Sequence, residues 1–405
     1  MRNTFYAFLS HPWSGVALAL VVAALGGVIA WGGRRGRAPV LRVAGRLIAV
    51  AGLILLVGAG RGMARVARIR SAHPPVGRLV DVGGYRMHLL AEGRADGKPT
   101  VVWLSGSHDA GLELHHLHKA MRAETRSILF DRPGAGWSDV GPYPRTTARE
   151  VEELRTLLAN AGERPPFVLV GHSYGGLLAA NYARRHRGEV AAVILLDPTP
   201  PDVFLYLPGG TGPEIPRGLV RASERAGWAA LFGLASNPDR EVIERDTALV
   251  SLLAVIRGQL ADVAGALDAG RAAPANFWAT ASIFREWDDP MEVAELTVYD
   301  GELTGLPVYL VVPPGKDPAA PLQLGLTGPT AERAGAFLER ARVRYLAVSD
   351  RARLIHTPPG MTHNYPYQVP DFVLEVVRGA LIESGGPAAG AADGVGAAGE
   401  GPIRR

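Results

Sequence analysis

The chain has 405 residues, enough for one large α/β domain with additions, and 47% of them are hydrophobic. It contains no cysteine, which excludes disulfides, thiolate metal sites and cysteine nucleophiles. Its formal net charge is only +4, and its arginines form no stripe interleaved with aromatic residues, so nucleic-acid binding is not expected.

Two apolar segments lie near the N-terminus. Residues 15–30 carry no charge, and Trp13 and Trp31 bracket them. A helix between these tryptophans would be about 27 Å long, close to the hydrocarbon thickness of a bilayer, and interfacial tryptophans are typical of spanning helices. A second apolar segment, 47–60, reaches spanning length when extended back to Val40. The patterns predict a membrane-anchoring transmembrane helical hairpin within residues 1–70, with helices at about 13–32 and 40–60.

Two other interpretations of this region stay open. The first segment could be a cleaved signal peptide, or one spanning helix could be followed by an interfacial one. Arginines flank both ends of the predicted hairpin in equal number, so the positive-inside rule does not choose an orientation. We expect the protein in a membrane, that of a bacterial cell, with the side of the soluble domain undetermined.

After the linker 71–75, strand and helix patterns alternate over residues 76–384. Nearly continuous apolar strands predict a doubly wound, mostly parallel sheet covered on both faces. Residues 198–306 interrupt the alternation with helical patterns and predict a cap, and the Gly/Ala-rich residues 385–405 predict a disordered tail. The predicted strands are 78–82, 85–91, 100–104, 127–130, 167–170, 190–196, 308–312 and a short one near 354. The predicted helices include 112–123, one that a capping box at Thr147–Glu150 opens and Gly162 ends, 177–187, 331–342 and 371–381.

The segment Gly171-His-Ser-Tyr-Gly175 connects an apolar strand to a helical pattern. In that context G-x-S-x-G is typical of a nucleophile elbow, a sharp turn that exposes the hydroxyl of Ser173. The flanking residues must be small because neighbouring backbone passes close to the turn. A helix that begins at Tyr174 directs backbone N–H groups towards an oxyanion formed at Ser173.

Three further motifs occur in a consistent order around this elbow. The segment 131–139, DRPGAGWSD, is similar to a D-x-P-G-x-G-x-S motif, and 362–370 resembles a segment that carries a catalytic histidine. The segment 314–317 resembles a G-x-x-D turn shortened by one residue. Over residues 76–383 the chain resembles the α/β-hydrolase superfamily, in particular its esterase, lipase and haloperoxidase-like members. The resemblance implies the α/β-hydrolase fold.

The resemblance also implies catalytic roles. Ser173 is expected to be the nucleophile, His363 the general base, in preference to His356, and Asp317 the carboxylate that orients the imidazole. Asp197, which follows the predicted strand 190–196, is the alternative acid.

The oxyanion hole is expected to use the backbone N–H groups of Tyr174 and Ser107. Ser107 ends a Ser105-Gly106-Ser107 sequence where many members have His-Gly-x, and the absent histidine leaves open what holds this loop.

Two clusters have weaker functional interpretations. His115, His116 and His118 suggest a metal site, but only two of them share a helical face, so a solvated helix face is preferred and no metal is expected. The predicted cap is rich in aromatic residues, most of them expected in a core and a few in an apolar acyl pocket. These aromatics are Trp228, Phe232, Phe277, Trp278, Phe284 and Trp287.

The sequence thus predicts a membrane-anchored serine hydrolase that cleaves an ester or related acyl bond through an acyl-enzyme intermediate, without a cofactor. Its expected partners are a small-molecule or lipid acyl substrate and the membrane. Ser173 argues against epoxide hydrolases and haloalkane dehalogenases, which need an aspartate at the elbow. An acyltransferase on the same triad and a non-catalytic membrane-tethered binding domain are the alternatives.

Overall fold

The computed structural model describes residues 2–107, 109–200, 214–234, 247–271, 273–315 and 328–384. Its N-terminal region contains a short helix α1 (Arg2–Leu9) and two long helices, α2 (Ser14–Arg35) and α3 (Pro39–Ala72). Both long helices are long and apolar enough to cross a membrane by length and composition. The second continues to Ala72, beyond the predicted end near residue 60.

Helices α2 and α3 pack antiparallel as a hairpin. Their contact face consists of small residues spaced seven apart, and these are buried while most of the apolar side chains around them are exposed. Small residues let two helix backbones approach closely, the packing typical of helices in membranes. The contact residues include Ala19, Gly26 and Gly33 on α2 and Gly45, Gly52 and Ala59 on α3.

The chain after α3 is built on one eight-stranded sheet with the order β1-β2-β4-β3-β5-β6-β7-β8. Strand β2 pairs antiparallel with β1 and with β4, and all other neighbours pair parallel, which confirms the predicted mostly parallel sheet. The strands are β1 (Arg78–Asp81), β2 (Arg86–Glu92), β3 (Thr100–Leu104), β4 (Ser127–Phe130), β5 (Phe167–His172), β6 (Val190–Leu196), β7 (Val308–Val312) and β8 (Ala352–His356).

The two faces of the sheet carry two separate apolar layers. Successive side chains of a strand point to opposite faces, so Phe167 and Leu169 of β5 belong to one layer and Val168 and Val170 to the other. Helices cover both layers, as the predicted α/β fold requires. In chain order these include α4 (His115–Met121), α5 (Thr147–Ala161), α6 (Tyr174–Arg185) and, after the cap, α12 (Gly328–Arg342), α13 (Tyr365–Gln368) and α14 (Pro370–Ser384).

The cap lies between β6 and β7. Its described helices are α7 (Glu214–Leu231), α8 (Thr247–Gln259), α9 (Ala264–Arg271), α10 (Pro274–Glu286) and α11 (Pro290–Leu296). Helix α10 packs against α7 and meets the 131–139 loop, where Ala279 lies against Gly134. The cap therefore rests on the loops at the carboxyl ends of the strands, where ligands bind in open α/β sheets.

The structure corrects one sequence prediction about a helix start, and two others lie outside the residues it describes. Helix α5 takes Thr146 as its N-cap, whose side chain accepts a hydrogen bond from the Arg149 N–H at 3.3 Å, so the capping box predicted at Thr147 is wrong by one residue. The Thr147 hydroxyl donates to Glu286 of the cap instead, at 3.0 Å. The predicted tail, 385–405, and Asp317 lie outside the described residues.

Candidate active site

Ser173 occupies the turn between β5 and α6. Its φ of 57° and ψ of −123° are a strained combination for a residue with a side chain, typical of residues held in place for function. The Ser173 N–H donates to the Leu196 carbonyl at 3.0 Å, and its carbonyl accepts from Thr199 N–H at 3.1 Å. These bonds to the end of β6 fix the turn at the carboxyl edge of the sheet.

Glycine is required on both sides of Ser173. A Cβ on Gly175 would collide with the Leu104 carbonyl at the end of β3, and one on Gly171 would collide with the Gly175 carbonyl. The turn can therefore approach its neighbours this closely only because both residues lack a side chain. This is the physical reason for the G-x-S-x-G spacing.

His363 is paired with Asp197. The His363 Nδ1 donates to Asp197 Oδ2 at 2.6 Å, and the carboxylate is almost fully buried. His363 lies in the loop between β8 and α13, and Asp197 directly follows β6, next to the strand that carries the elbow. The preferred acid, Asp317, lies outside the described residues, and in the described part of the chain Asp197 contacts His363. The contact favours Asp197, the alternative acid, while the assignment of Asp317 stays an untested prediction.

Asp197 also faces a guanidinium. The Arg342 Nε lies 3.0 Å from Asp197 Oδ1, and its Nη2 lies 3.3 Å from Oδ2, at the C-terminal end of α12. Burial alone would raise the pKa of Asp197, but the hydrogen bond from His363 and the charges of His363 and Arg342 outweigh it and hold that pKa below its usual value. The carboxylate therefore stays ionised although it is buried.

His172, the residue before Ser173, packs against His363. Its ring lies 4.6 Å from the His363 ring, measured between centroids, and its Nε2–H donates to the His363 carbonyl at 2.9 Å. Burial, followed by the nearby charge of His363, lowers the pKa of His172 to about 4. A neutral His172 can therefore position the backbone of His363 without adding a second positive charge at neutral pH.

Arg132 holds the loop on which the second oxyanion donor was predicted. Its buried guanidinium donates to the carbonyls of Ser105 at 2.9 Å and Ser107 at 3.1 Å, and also to that of Gly106. A Cβ built on Gly106 would lie 3.8 Å from the Cβ of Ser173, so this loop borders Ser173. With three carbonyls bound from one side, the loop has a defined path in the absence of the family's histidine.

The same guanidinium connects the loop to the elbow helix. It lies 5.3 Å from the centroid of the Tyr174 ring, and its Nε is 3.6 Å from a Glu150 oxygen. The Tyr174 hydroxyl donates to Glu150 at 3.0 Å. Tyr174 is the first residue of α6, so its backbone N–H has no partner within the helix. Arg132 therefore contacts both elements on which the oxyanion donors are predicted, the Ser107 loop and the start of α6.

Asp131 explains the first residue of the DRPGAGWSD motif. Its carboxylate accepts the N–H of Gly111 at 2.7 Å and that of Trp137 at 2.9 Å, and it lies 2.8 Å from Nδ1 of the buried His88. The aspartate thereby fixes the loop that presents Arg132. The DRPGAGWSD pattern indicates a loop, but it does not reveal that Asp131 binds these backbone N–H groups.

The three histidines of α4 do not form a solvated helix face. His115 and His118 are buried, and His118 bonds Glu92 and Ser127, each at 2.9 Å. His116 bonds the Pro366 carbonyl at 2.9 Å. The preferred interpretation is therefore wrong, because all three side chains pack between elements. Within the described ranges, no group of three or more potential ligands could hold a metal ion.

The cap aromatics form two packed groups. Trp278 packs with Trp228 and with Tyr6 of α1, while Trp287 packs with Phe284 and Tyr174. The Thr280 hydroxyl of α10 lies 3.5 Å from the Ser107 carbonyl, so the cap reaches the predicted oxyanion loop. An acyl pocket among these aromatics stays a prediction.

Comparison with known proteins agrees with this architecture. Residues 101–376, more than half of the chain, match the model of the alpha/beta hydrolase family. A thermophilic esterase from Thermogutta terrifontis shares the fold with a TM-score of 0.53 and 19% identity, over 76% of this chain and 98% of the esterase.

Two curated relatives match shorter segments. Uncharacterized protein YbdG of Bacillus subtilis is 34% identical over 123 residues, which are 30% of this chain and 37% of YbdG. A cis-3-alkyl-4-alkyloxetan-2-one decarboxylase of Xanthomonas campestris is 30% identical over 131 residues, 29% of this chain and 43% of that enzyme. The chain spans less than half the length of either relative. The fold is thus that of the esterase, and the family match over residues 101–376 shows that the chain belongs to the alpha/beta hydrolase family.

Proposed function

We propose that this protein is a membrane-anchored serine hydrolase that cleaves an ester or related acyl bond of an apolar substrate. The observation that carries the proposal is the 2.6 Å hydrogen bond between His363 and the buried Asp197, on a loop that packs against the residue before Ser173. A serine hydroxyl is a weak nucleophile at neutral pH and needs such an oriented base.

The proposed reaction has two halves. In the first, the Ser173 oxygen bonds to the acyl carbon while its proton passes to Nε2 of His363, and the departing alcohol then takes that proton. In the second, water loses a proton to His363 and attacks the acyl-enzyme, which releases the acid and restores the serine. Asp197 stabilises the imidazolium in both halves, and the N–H groups of Tyr174 and Ser107 are proposed to bind the oxyanion.

The hairpin supports the membrane part of the proposal. Helices α2 and α3 are each long and apolar enough to cross a membrane, and small residues form their mutual contact. Large apolar side chains such as Leu20, Leu25, Leu47 and Ile54 stay exposed around that contact, as lipid-facing residues do. Extraction with alkaline carbonate tests this part, because a spanning protein stays in the membrane pellet and a peripheral one is released.

Covalent labelling tests the catalytic part. A fluorophosphonate probe should label the full-length protein at Ser173, and Ser173→Ala should abolish labelling. Labelling that persists in Ser173→Ala would refute the nucleophile assignment, and a fully unreactive wild-type protein would favour a binding domain. Adding an alcohol acceptor to an ester assay separates the remaining alternative, since an acyltransferase would form the new ester in preference to the free acid.

A further inference from the structure

The end of cap helix α7 rests on the base of the hairpin. Gly15, where the uncharged part of α2 begins, lies directly against the Leu231 carbonyl, and Gly58 of α3 lies against the Phe232 carbonyl. Gly58 is followed three residues later by Arg61, the first charge beyond the apolar part of α3. The segment Trp228–Leu234, here named the cap tip, therefore lies at the level where the apolar part of the hairpin ends.

Exposed apolar side chains gather at this level. Leu234, at the end of the cap tip, is 69% exposed, and Phe5 and Trp13 are 45% and 49% exposed. Phe5 packs against Trp228 of the cap tip, and Trp13 precedes α2. Aromatic side chains are enriched where membrane proteins cross the headgroup region, so this group has the composition of an interfacial belt.

Charge at the same level is positive. Arg61, Arg65 and Arg68 are exposed and lie at four- and three-residue spacing, on one face of α3. Gly62, within this stretch, lies against Gly233 of the cap tip. Arginines beside an apolar belt suit the phosphates of lipid headgroups.

Among the described residues, helix α10 lies between the cap tip and the proposed reaction centre. Gly227 of α7 lies against the Trp278 ring of α10, and α10 also carries Thr280, whose hydroxyl is 3.5 Å from the Ser107 carbonyl. A helix with its side chains is about 10–12 Å across. The membrane level and the proposed oxyanion hole are therefore on opposite sides of α10.

We propose that the cap tip lies against the bilayer surface and that the enzyme takes its acyl substrate, a long-chain apolar ester, from the membrane rather than from water. This inference rests on the proposed serine hydrolase function. The hairpin then both anchors the protein and holds the cap at the surface from which the substrate is drawn.

The first test compares two substrates of one reconstituted protein. Full-length enzyme in phosphatidylcholine vesicles with phosphatidylglycerol is assayed on 4-methylumbelliferyl oleate dissolved in the bilayer and on water-soluble p-nitrophenyl acetate. Leu234→Glu should lower the oleate rate about tenfold and leave the acetate rate unchanged. Met291→Glu and Ile382→Glu are matched controls, since these side chains are 80% and 79% exposed on helices α11 and α14. Equal effects on both substrates, or equal effects of Leu234→Glu and the controls, would overturn the inference.

A second test reads position without activity. Because the chain has no cysteine, Leu234→Cys and Met291→Cys each give one site for an environment-sensitive fluorophore. A label at position 234 should be quenched by spin-labelled lipid in the vesicles, and a label at 291 should not. An unquenched label at 234 would overturn the cap placement even if catalysis is intact. If wild-type enzyme hydrolyses neither ester while position 234 is quenched, the proposed function fails and the placement stands.

Discussion

Replacing Asp197 by asparagine removes the carboxylate from the proposed triad with almost no change in shape. An amide at this position offers His363 either an oxygen or an NH₂ group, and it no longer carries a charge opposite the imidazolium. At a charge separation of about 4 Å and an effective dielectric constant of about 20, that charge is worth about 4 kcal/mol. Losing the orienting aspartate of a serine triad lowers kcat about 10⁴-fold, or about 5.4 kcal/mol. The two magnitudes agree, so we expect a loss of 10³- to 10⁴-fold.

The assay is kcat for a soluble p-nitrophenyl ester, measured with the rate of fluorophosphonate labelling. Asp317→Asn is the matched control, because it changes the other candidate acid and should retain near-normal turnover. Asp197→Asn also removes the anion that faces Arg342, so a thermal melt must show that this variant is folded under the assay conditions. Near-normal turnover of Asp197→Asn together with loss in Asp317→Asn would refute the acid assignment and leave Ser173 and His363 standing.

Three further outcomes are expected. Arg132→Met should lower kcat about 10²-fold with little change in KM, because the predicted oxyanion loop loses the guanidinium that binds its carbonyls. Arg132→Lys should retain part of the activity. Equal kcat values for the wild type and both variants would contradict this role of Arg132. Burial raises the pKa of Glu286 to about 8, so its contribution to stability is full at pH below about 4.5 and falls as the pH rises towards 8. Thermal melts should therefore show that the Tm of Glu286→Gln rises relative to that of the wild type from pH 5 to pH 8. A Tm difference that does not change with pH would contradict a raised pKa of Glu286. A protein that starts at residue 73 lacks Tyr6, which packs on Trp278 of the cap, so it should have a lower Tm and a higher KM. An unchanged Tm and KM would mean that the N-terminal region does not support the cap.

The sheet could be predicted from local patterns because each buried parallel strand is a short apolar segment that is followed by polar or turn-forming residues. Thr100–Leu104, Ser127–Phe130 and Val308–Val312 have the predicted bounds. The elbow was equally local, since its glycines respond to contacts that the strand-to-helix turn imposes wherever it forms. A helix start depends on a single capping residue, and the error of one residue at Thr146 arose because two adjacent threonines satisfy the same capping pattern.

The carboxylate partner of His363 could not be chosen from local patterns. Asp197 and Asp317 both follow predicted strands and precede His363 in the chain, so order did not separate them. Asp197 is favoured by tertiary contacts with His363 and Arg342, from segments more than 140 residues away. Arg342 gave no signal of its own, because an arginine near the end of a helix is an ordinary surface residue in sequence.

The histidines of α4 show the opposite error. Their polarity suggested a solvated face, but Glu92, Ser127 and the Pro366 carbonyl supply hydrogen bonds that make burial possible. These partners come from β2, β4 and α13, and sequence spacing does not reveal them. A polar residue can therefore be placed in a core only when its tertiary partners are known.

If Ser173 is the nucleophile, an acyl-enzyme forms on it during turnover, and the mass of the protein reports that intermediate. Wild-type enzyme mixed with excess p-nitrophenyl ester and quenched in acid within milliseconds should gain the mass of one acyl group, on the peptide that contains Ser173. Ser173→Ala should gain nothing. Rapid hydrolysis with no acyl adduct at any quench time, or an adduct on another residue, would rule out Ser173 as the nucleophile.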